Sequence, residues 1–170
     1  MEQDSLLIDS TIQSGAEFSQ CRTYRYVLWR RWGWYEHAKQ VMFIGLNPST
    51  ADETKDDPTI RRCIRFAKDW GFNGLLMMNA FAFRATDPKV MRAAADPVGP
   101  ANDEAIGCWK SQVGKVIAAW GNQCGEERAK QVCRVIGTPL YCLARNKSGA
   151  PKHPLYTAAD TMPNVFWSPS

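Results

Sequence analysis

The sequence predicts an α/β protein, a three-layer open and mostly parallel four-stranded sheet with helices on both faces. Three observations carry that expectation. Four short runs are apolar almost throughout, as strands covered on both faces are. Segments with helical spacing lie between them. The resulting alternation of strand and helix suits parallel strands joined by right-handed crossovers.

The strand runs are Val41-Met-Phe-Ile-Gly45, Gly74-Leu-Leu-Met-Met78, Lys115-Val-Ile-Ala-Ala-Trp120 and Leu140-Tyr-Cys-Leu143. Residues 58–70 place Ile60, Ile64 and Ala67 on one helical face and most of the basic residues elsewhere, after an Asp57-Pro58 start signal. Residues 102–112 read as a second helix. Residues 126–136 read as a third, with Ala129, Val132, Cys133 and Ile136 on one side and Gly137 as the stop. The block 21–35 is rich in Tyr, Trp and Arg and reads as a flanking strand or a hairpin.

At 170 residues the chain is the size of one domain, here 1–170, with a core of about 40–156 and a flanking segment 1–39. Its 45% hydrophobic and 22% charged residues exclude a disordered, collagen-like or coiled-coil chain. No apolar run approaches the ~20 residues of a membrane span, and the first residues lack the order of a signal peptide. A cytoplasmic protein that engages no membrane is expected. The net charge of +4 permits attraction to phosphate without requiring it. The six cysteines form no CxxC pair and have two histidines for company, so neither a metal site nor any cofactor is expected. Cys63, Cys133 and Cys142 fall in apolar or amphipathic surroundings and read as buried thiols.

Open α/β sheets bind ligands beyond the carboxyl ends of their strands, so the segments that follow each strand carry the functional reading. Gly45-Leu-Asn-Pro-Ser-Thr50 presents the Asn47 amide in a turn shaped by Gly45 and Pro48. Asn79 closes the second strand. His153 lies in Gly149-Ala-Pro-Lys-His-Pro-Leu-Tyr156, a loop restricted by its prolines. Each residue alone is compatible with a turn or a cap; together they place two amides and a His on one sheet edge, as suits a pocket for a flat heteroaromatic ligand. There is no GxGxxG, no P-loop and no G-x-S-x-G elbow.

Four segments, in order, resemble the uracil-DNA glycosylase superfamily. Gly45-Leu-Asn-Pro-Ser-Thr50 is similar to its water-activating motif, and Gly74-Leu-Leu-Met-Met-Asn79, running on to Arg84, to the strand that carries its base-reading Asn. Val116-Ile-Ala-Ala-Trp-Gly121 resembles its third-strand segment, and Ala150-Pro-Lys-His-Pro154 the run that opens its leucine loop. More closely, the strings GLNPSTAD, DPTIRR, NAFAFRATDP and PKHPLY resemble a family of small phage and bacterial proteins known only as a domain of unknown function.

The resemblance implies a uracil-DNA glycosylase-like fold and cleavage of the N-glycosidic bond of a pyrimidine in DNA. Asn47 and His153 would be catalytic, the first holding water and the second donating to the departing base. Gly45, Leu46, Pro48, Ser49, Asn79 and Phe81 would contact the base. Arg84, Lys147 and Lys152 would meet phosphates, with Leu155 and Tyr156 as candidate wedges for a flipped nucleotide. Two features depart from the uracil enzymes. Asn47 stands where they have a carboxylate, which Asp52, Asp56 or Asp57 could supply. Ser49 stands where they have a Tyr, leaving room for a 5-substituted pyrimidine. The block Tyr24-Arg-Tyr26 with Trp29-Arg-Arg-Trp-Gly-Trp34 suits stacking on single strands or a half-buried strand. A non-catalytic base-binding module, and an enzyme acting on nucleotides in a base-modification pathway, remain as alternatives. Whether the partner is single-stranded DNA, double-stranded DNA or a nucleotide stays open.

Overall fold

Residues 13–33 and 39–170 are described by a computed structural model. In chain order they form β1 (Gln13–Phe18), β2 (Arg25–Arg31), β3 (Gln40–Gly45), α1 (Pro58–Asp69), β4 (Gly74–Asn79), α2 (Pro88–Ala93) and α3 (Asn102–Trp109). Then follow β5 (Lys115–Ala118), α4 (Glu126–Ile136), β6 (Leu140–Cys142) and β7 (Asn164–Trp167). The strands make one mixed sheet in the order β1-β2-β4-β3-β5-β6-β7.

The four expected strands are its centre. β4, β3, β5 and β6 run parallel to one another. The expectation of a four-stranded sheet is corrected to seven, because β1 and β2 add antiparallel strands at one edge and β7 adds one at the other. These outer strands carry mixed sequences, such as Arg-Tyr-Val-Leu-Trp-Arg-Arg in β2. They lack the continuous apolar run that marks a central strand. The block 21–35 thus resolves into one arm of the β1–β2 hairpin, while Trp34 and Tyr35 lie outside the described residues.

Alternation along the central strands builds two cores. Met42, Ile44, Leu76, Met78 and Val116 pack with Ile106 of α3 and with Val132 and Ile136 of α4. Val41, Phe43, Leu75, Met77 and Ile117 pack on the other face with Ile60, Cys63, Phe66 and Ala67 of α1. Asp57 caps α1 through Oδ1, which accepts from the Ile60 backbone N–H at 2.8 Å, with Pro58 at the first helical position. Gly137 stops α4 in the left-handed conformation at φ 68°, a geometry in which Cβ would be strained. Cys63, Cys133 and Cys142 are buried, and burial pushes each thiol above its ordinary pKa. No helix among the described residues is long and apolar enough to cross a membrane.

Arg30 fixes the loop between β3 and α1. Its side chain is only 3% exposed, and Nε donates to Asp56 Oδ1 at 2.8 Å. Nη1 donates to the carbonyls of Trp29 (2.8 Å), Glu53 (3.3 Å) and Gly15 (3.4 Å), and Nη2 to those of Asp52 (2.8 Å) and Lys55 (3.3 Å). A guanidinium placed this deep holds its charge because its hydrogens meet oxygens. Arg30→Met is expected to lower stability by roughly 3 kcal/mol in urea denaturation. Amide exchange should accelerate across residues 52–56 before it does in β4.

Candidate functional site

A cavity of about 520 Å³ opens at the carboxyl ends of β3, β4 and β5, within the range of small-ligand sites. Gly45, Met77 and Asn79 contribute from the strand ends, and residues 46–49 from the loop after β3. Trp120–Gln123 line it after β5, and Asn146, His153, Leu155 and Tyr156 from the segment after β6. Hydrogen bonds fix that segment: Gly121 N–H donates to the Pro151 carbonyl at 2.9 Å, and both Asn146 Nδ2 and Ser148 Oγ reach Asn122 Oδ1. Arg62 of α1 donates to the Thr157 carbonyl, tying the far end of the segment to the helix.

Asn79 is 2% exposed, and its Nδ2 has no partner among the described residues. Its backbone is held in place, since the Asn79 carbonyl accepts from Asn102 Nδ2 at 3.0 Å and the Ala80 carbonyl from Arg128 Nε at 2.8 Å. The missing side chain at Gly45 makes room: a Cβ there would lie 3.0 Å from Asn79 Oδ1 and 2.8 Å from Met77 Cε. Asn47 is committed differently. Its Nδ2 donates to the carbonyls of Ala85 (2.8 Å) and Pro48 (3.2 Å). The acceptor Oδ1 is therefore the end left to a ligand or water.

His153 caps the short turn Pro154–Tyr156, its Nδ1 accepting from the Leu155 N–H at 3.2 Å. That bond assigns the proton of the neutral imidazole to Nε2. Burial holds the His153 pKa below its ordinary value, against the opposing pull of the Asp57 charge. The ring is therefore a neutral donor at physiological pH.

Nine of the expected site residues share this cavity: Gly45, Leu46, Asn47, Pro48, Ser49, Asn79, His153, Leu155 and Tyr156. Four others do not line it. Phe81 packs half-buried against the core on the α3 and α4 side, because the chain turns after Asn79 and the register places its ring there. Arg84 donates to the Arg22 carbonyl and lies over the Phe18 ring, 4.7 Å from its centroid. Lys147 is exposed on the turn that Gly149 N–H closes onto Asn146 O, and Lys152 is half-buried with its N–H on Ala144 O. The aromatic block at β2 is engaged internally: Trp29 stacks on Trp109, and Trp32 Nε1 donates to the Phe72 carbonyl.

Of the three candidate carboxylates only Asp57 reaches the cavity. Asp52 accepts from the N–H groups of Thr54 and Lys55, and Asp56 pairs with Arg30. The residue that sequence reasoning missed is Arg25. It is 2% exposed and lines the cavity, and Nη1 donates to the Ala51 carbonyl at 3.0 Å. Burial draws its pKa down to about 10, opposed by Asp57, so it remains a cation at neutral pH. In sequence Arg25 is one of three arginines in β2, and nothing there sets it apart from the others.

The family model for DUF1643, a protein of unknown function, matches residues 25–155. The chain belongs to this family. That DUF1643 match begins at Arg25 and ends at Leu155, and so contains every residue lining the cavity except Tyr156. No curated protein and no solved structure matches the chain.

Two outcomes check this geometry. In an NMR titration the His153 ring should change charge below pH 6.5, with the signal assigned by its loss in His153→Gln. A midpoint at or above 6.5 would contradict the buried neutral ring. Gly45→Ala should fold with β3 intact yet shift the Asn79 side-chain amide resonances, because its Cβ lands against Asn79 and Met77.

Proposed function

We propose that this cavity hydrolyses the N-glycosidic bond of a pyrimidine nucleotide, with a 5-substituted base as the preferred substrate. The observation that carries the reading is the set of polar ends left over around one cavity. The buried Asn79 Nδ2 lacks a partner, His153 offers Nε2–H, and Asn47 offers Oδ1. Two donors and one acceptor suit a base with carbonyl oxygens on one side and a water on the other. The four segments that resemble the uracil-DNA glycosylase superfamily support the same assignment, and so does the parallel centre of the sheet.

In the proposed step the water oxygen bonds to the sugar C1′ as the C1′–N bond breaks. The base leaves with the bonding pair and takes up the proton that the water releases. Negative charge grows on the departing base, where the His153 Nε2–H and the Asn79 amide would stabilise it. Positive charge grows on the sugar. Asn47 positions the water but cannot stabilise that charge, so Asp57, the carboxylate of the cavity, is assigned the electrostatic role. Ser49 is small and half-buried on the cavity wall, which suits a hydroxymethyl or larger group at the base 5-position. Leu155 and Tyr156, 44% and 75% exposed at the cavity, are the residues we propose as wedges beside a flipped nucleotide.

Mass spectrometry of free base tests the reading, with uracil, thymine, hydroxymethyluracil and bulkier pyrimidines presented in single strands, duplexes and mononucleotides. Asn47→Ala and His153→Ala should each reduce release by roughly 100-fold or more. Ser49→Tyr should abolish release of bulky bases while sparing uracil. Base-selective binding with no release from any substrate would instead make the protein a reader of modified bases.

A further inference from the structure

Three of the buried arginines differ in how their charge is met. Arg30 meets one carboxylate oxygen and five carbonyls. Arg128, 7% exposed, grips Asp103 with both Nη atoms, at 2.6 and 3.1 Å, and donates Nε to Ala80 O. Arg25 is buried as deeply but has a single acceptor, Ala51 O at Nη1. Its Nε has no partner, and no carboxylate lies within 4.0 Å of the guanidinium among the described residues.

A buried cation left with one hydrogen bond is costly unless an anion completes it. The part of the fork without a protein partner is the edge formed by Nε and Nη2, the pair of parallel donors that takes two oxygens of one oxyanion. Asp57, which also lines the cavity, makes neither an ion pair within 4.0 Å nor a hydrogen bond with it. We propose that Arg25 is the receptor for a phosphate group of the ligand, gripping two phosphate oxygens through Nε and Nη2 inside the cavity. The choice of phosphate rests on the nucleotide reading above, whereas the vacant fork does not. The group would come from a free nucleotide or from the backbone of a strand whose nucleotide enters the cavity.

The test uses the full chain, 15N-labelled, and follows the Arg25 Nε–H resonance, assigned by its loss in Arg25→Lys. Inorganic phosphate should shift this signal saturably, and chloride at equal ionic strength should not. By calorimetry, deoxyuridine 5′-monophosphate should bind at least roughly tenfold tighter than deoxyuridine. Arg25→Met should erase that difference and leave deoxyuridine binding within about twofold. A tetranucleotide with internal deoxyuridine that binds more tightly than the monophosphate would assign the phosphate to a strand; the reverse order would assign it to a free nucleotide.

An Arg25 signal unmoved by both phosphate and the monophosphate would overturn the proposal, as would a phosphate preference that survives Arg25→Met. The wild-type titration decides the matter even where Arg25→Met fails to fold. A saturable phosphate shift with no base released from any substrate would leave the receptor standing and remove the hydrolase.

Discussion

The site depends on one buried guanidinium that takes no part in it. Arg30 of β2 gathers the carbonyls of Asp52, Glu53 and Lys55 and the carboxylate of Asp56 around a single planar group. A loop of that length between a strand and a helix has many conformations of similar energy, and a rigid planar donor selects one. The residue after Asp56 is Asp57, which starts α1 and brings its charge to the cavity. The antiparallel hairpin at the sheet edge therefore sets the start of the helix that packs on the parallel centre.

The same logic orders the opposite side of the cavity. Asn79 ends β4, where the ladder to β3 stops, and its peptide needs other partners. Asn102 and Arg128, from α3 and α4, supply donors to the carbonyls of Asn79 and Ala80. Backbone satisfied from outside the cavity allows a side chain inside it to remain unsatisfied. Asn47 shows the reverse arrangement, with its nitrogen spent on the loop and its oxygen left over. The polarity offered to a ligand is thus set by which end of each amide the scaffold consumes.

What the sequence made legible follows from how much burial each segment carries. Central strands are covered on both faces and announce themselves as apolar runs, and the polar residues at or just beyond their ends, Asn79 and Asn47, mark the ligand edge. β1 and β7 escaped notice because their short sequences mix polar with apolar residues, whereas β2 fell inside the block 21–35 that reads as a flanking strand or a hairpin. The six-residue α2 is too short for periodicity to emerge, although Asp87-Pro88 was a start signal. Arg25 stayed hidden because in sequence it belongs to a basic aromatic block that also suits an exposed face. Arg84 and Phe81 were assigned to the site by the resemblance of the segment that runs on from Asn79. Closeness in sequence does not survive a turn that points consecutive side chains to different layers.

The cavity holds its two charges on different elements, Asp57 at the start of α1 and Arg25 at the start of β2, with the neutral His153 held on a third segment. Burial acts on both Arg25 and His153 against the charged form, and Asp57 acts on both in favour of it. Arg25 starts so far above neutrality that it keeps its proton, whereas His153 starts close to neutrality and gives its proton up. One desolvated environment therefore yields a cation and a neutral donor that line the same cavity. For the proposed hydrolysis that separation matters. A cationic His153 would bind an anionic phosphate as readily as Arg25 does and would blur which end of a nucleotide lies where. A neutral Nε2–H interacts weakly with the ground-state base and more strongly as charge develops on it, so its contribution is concentrated in the transition state.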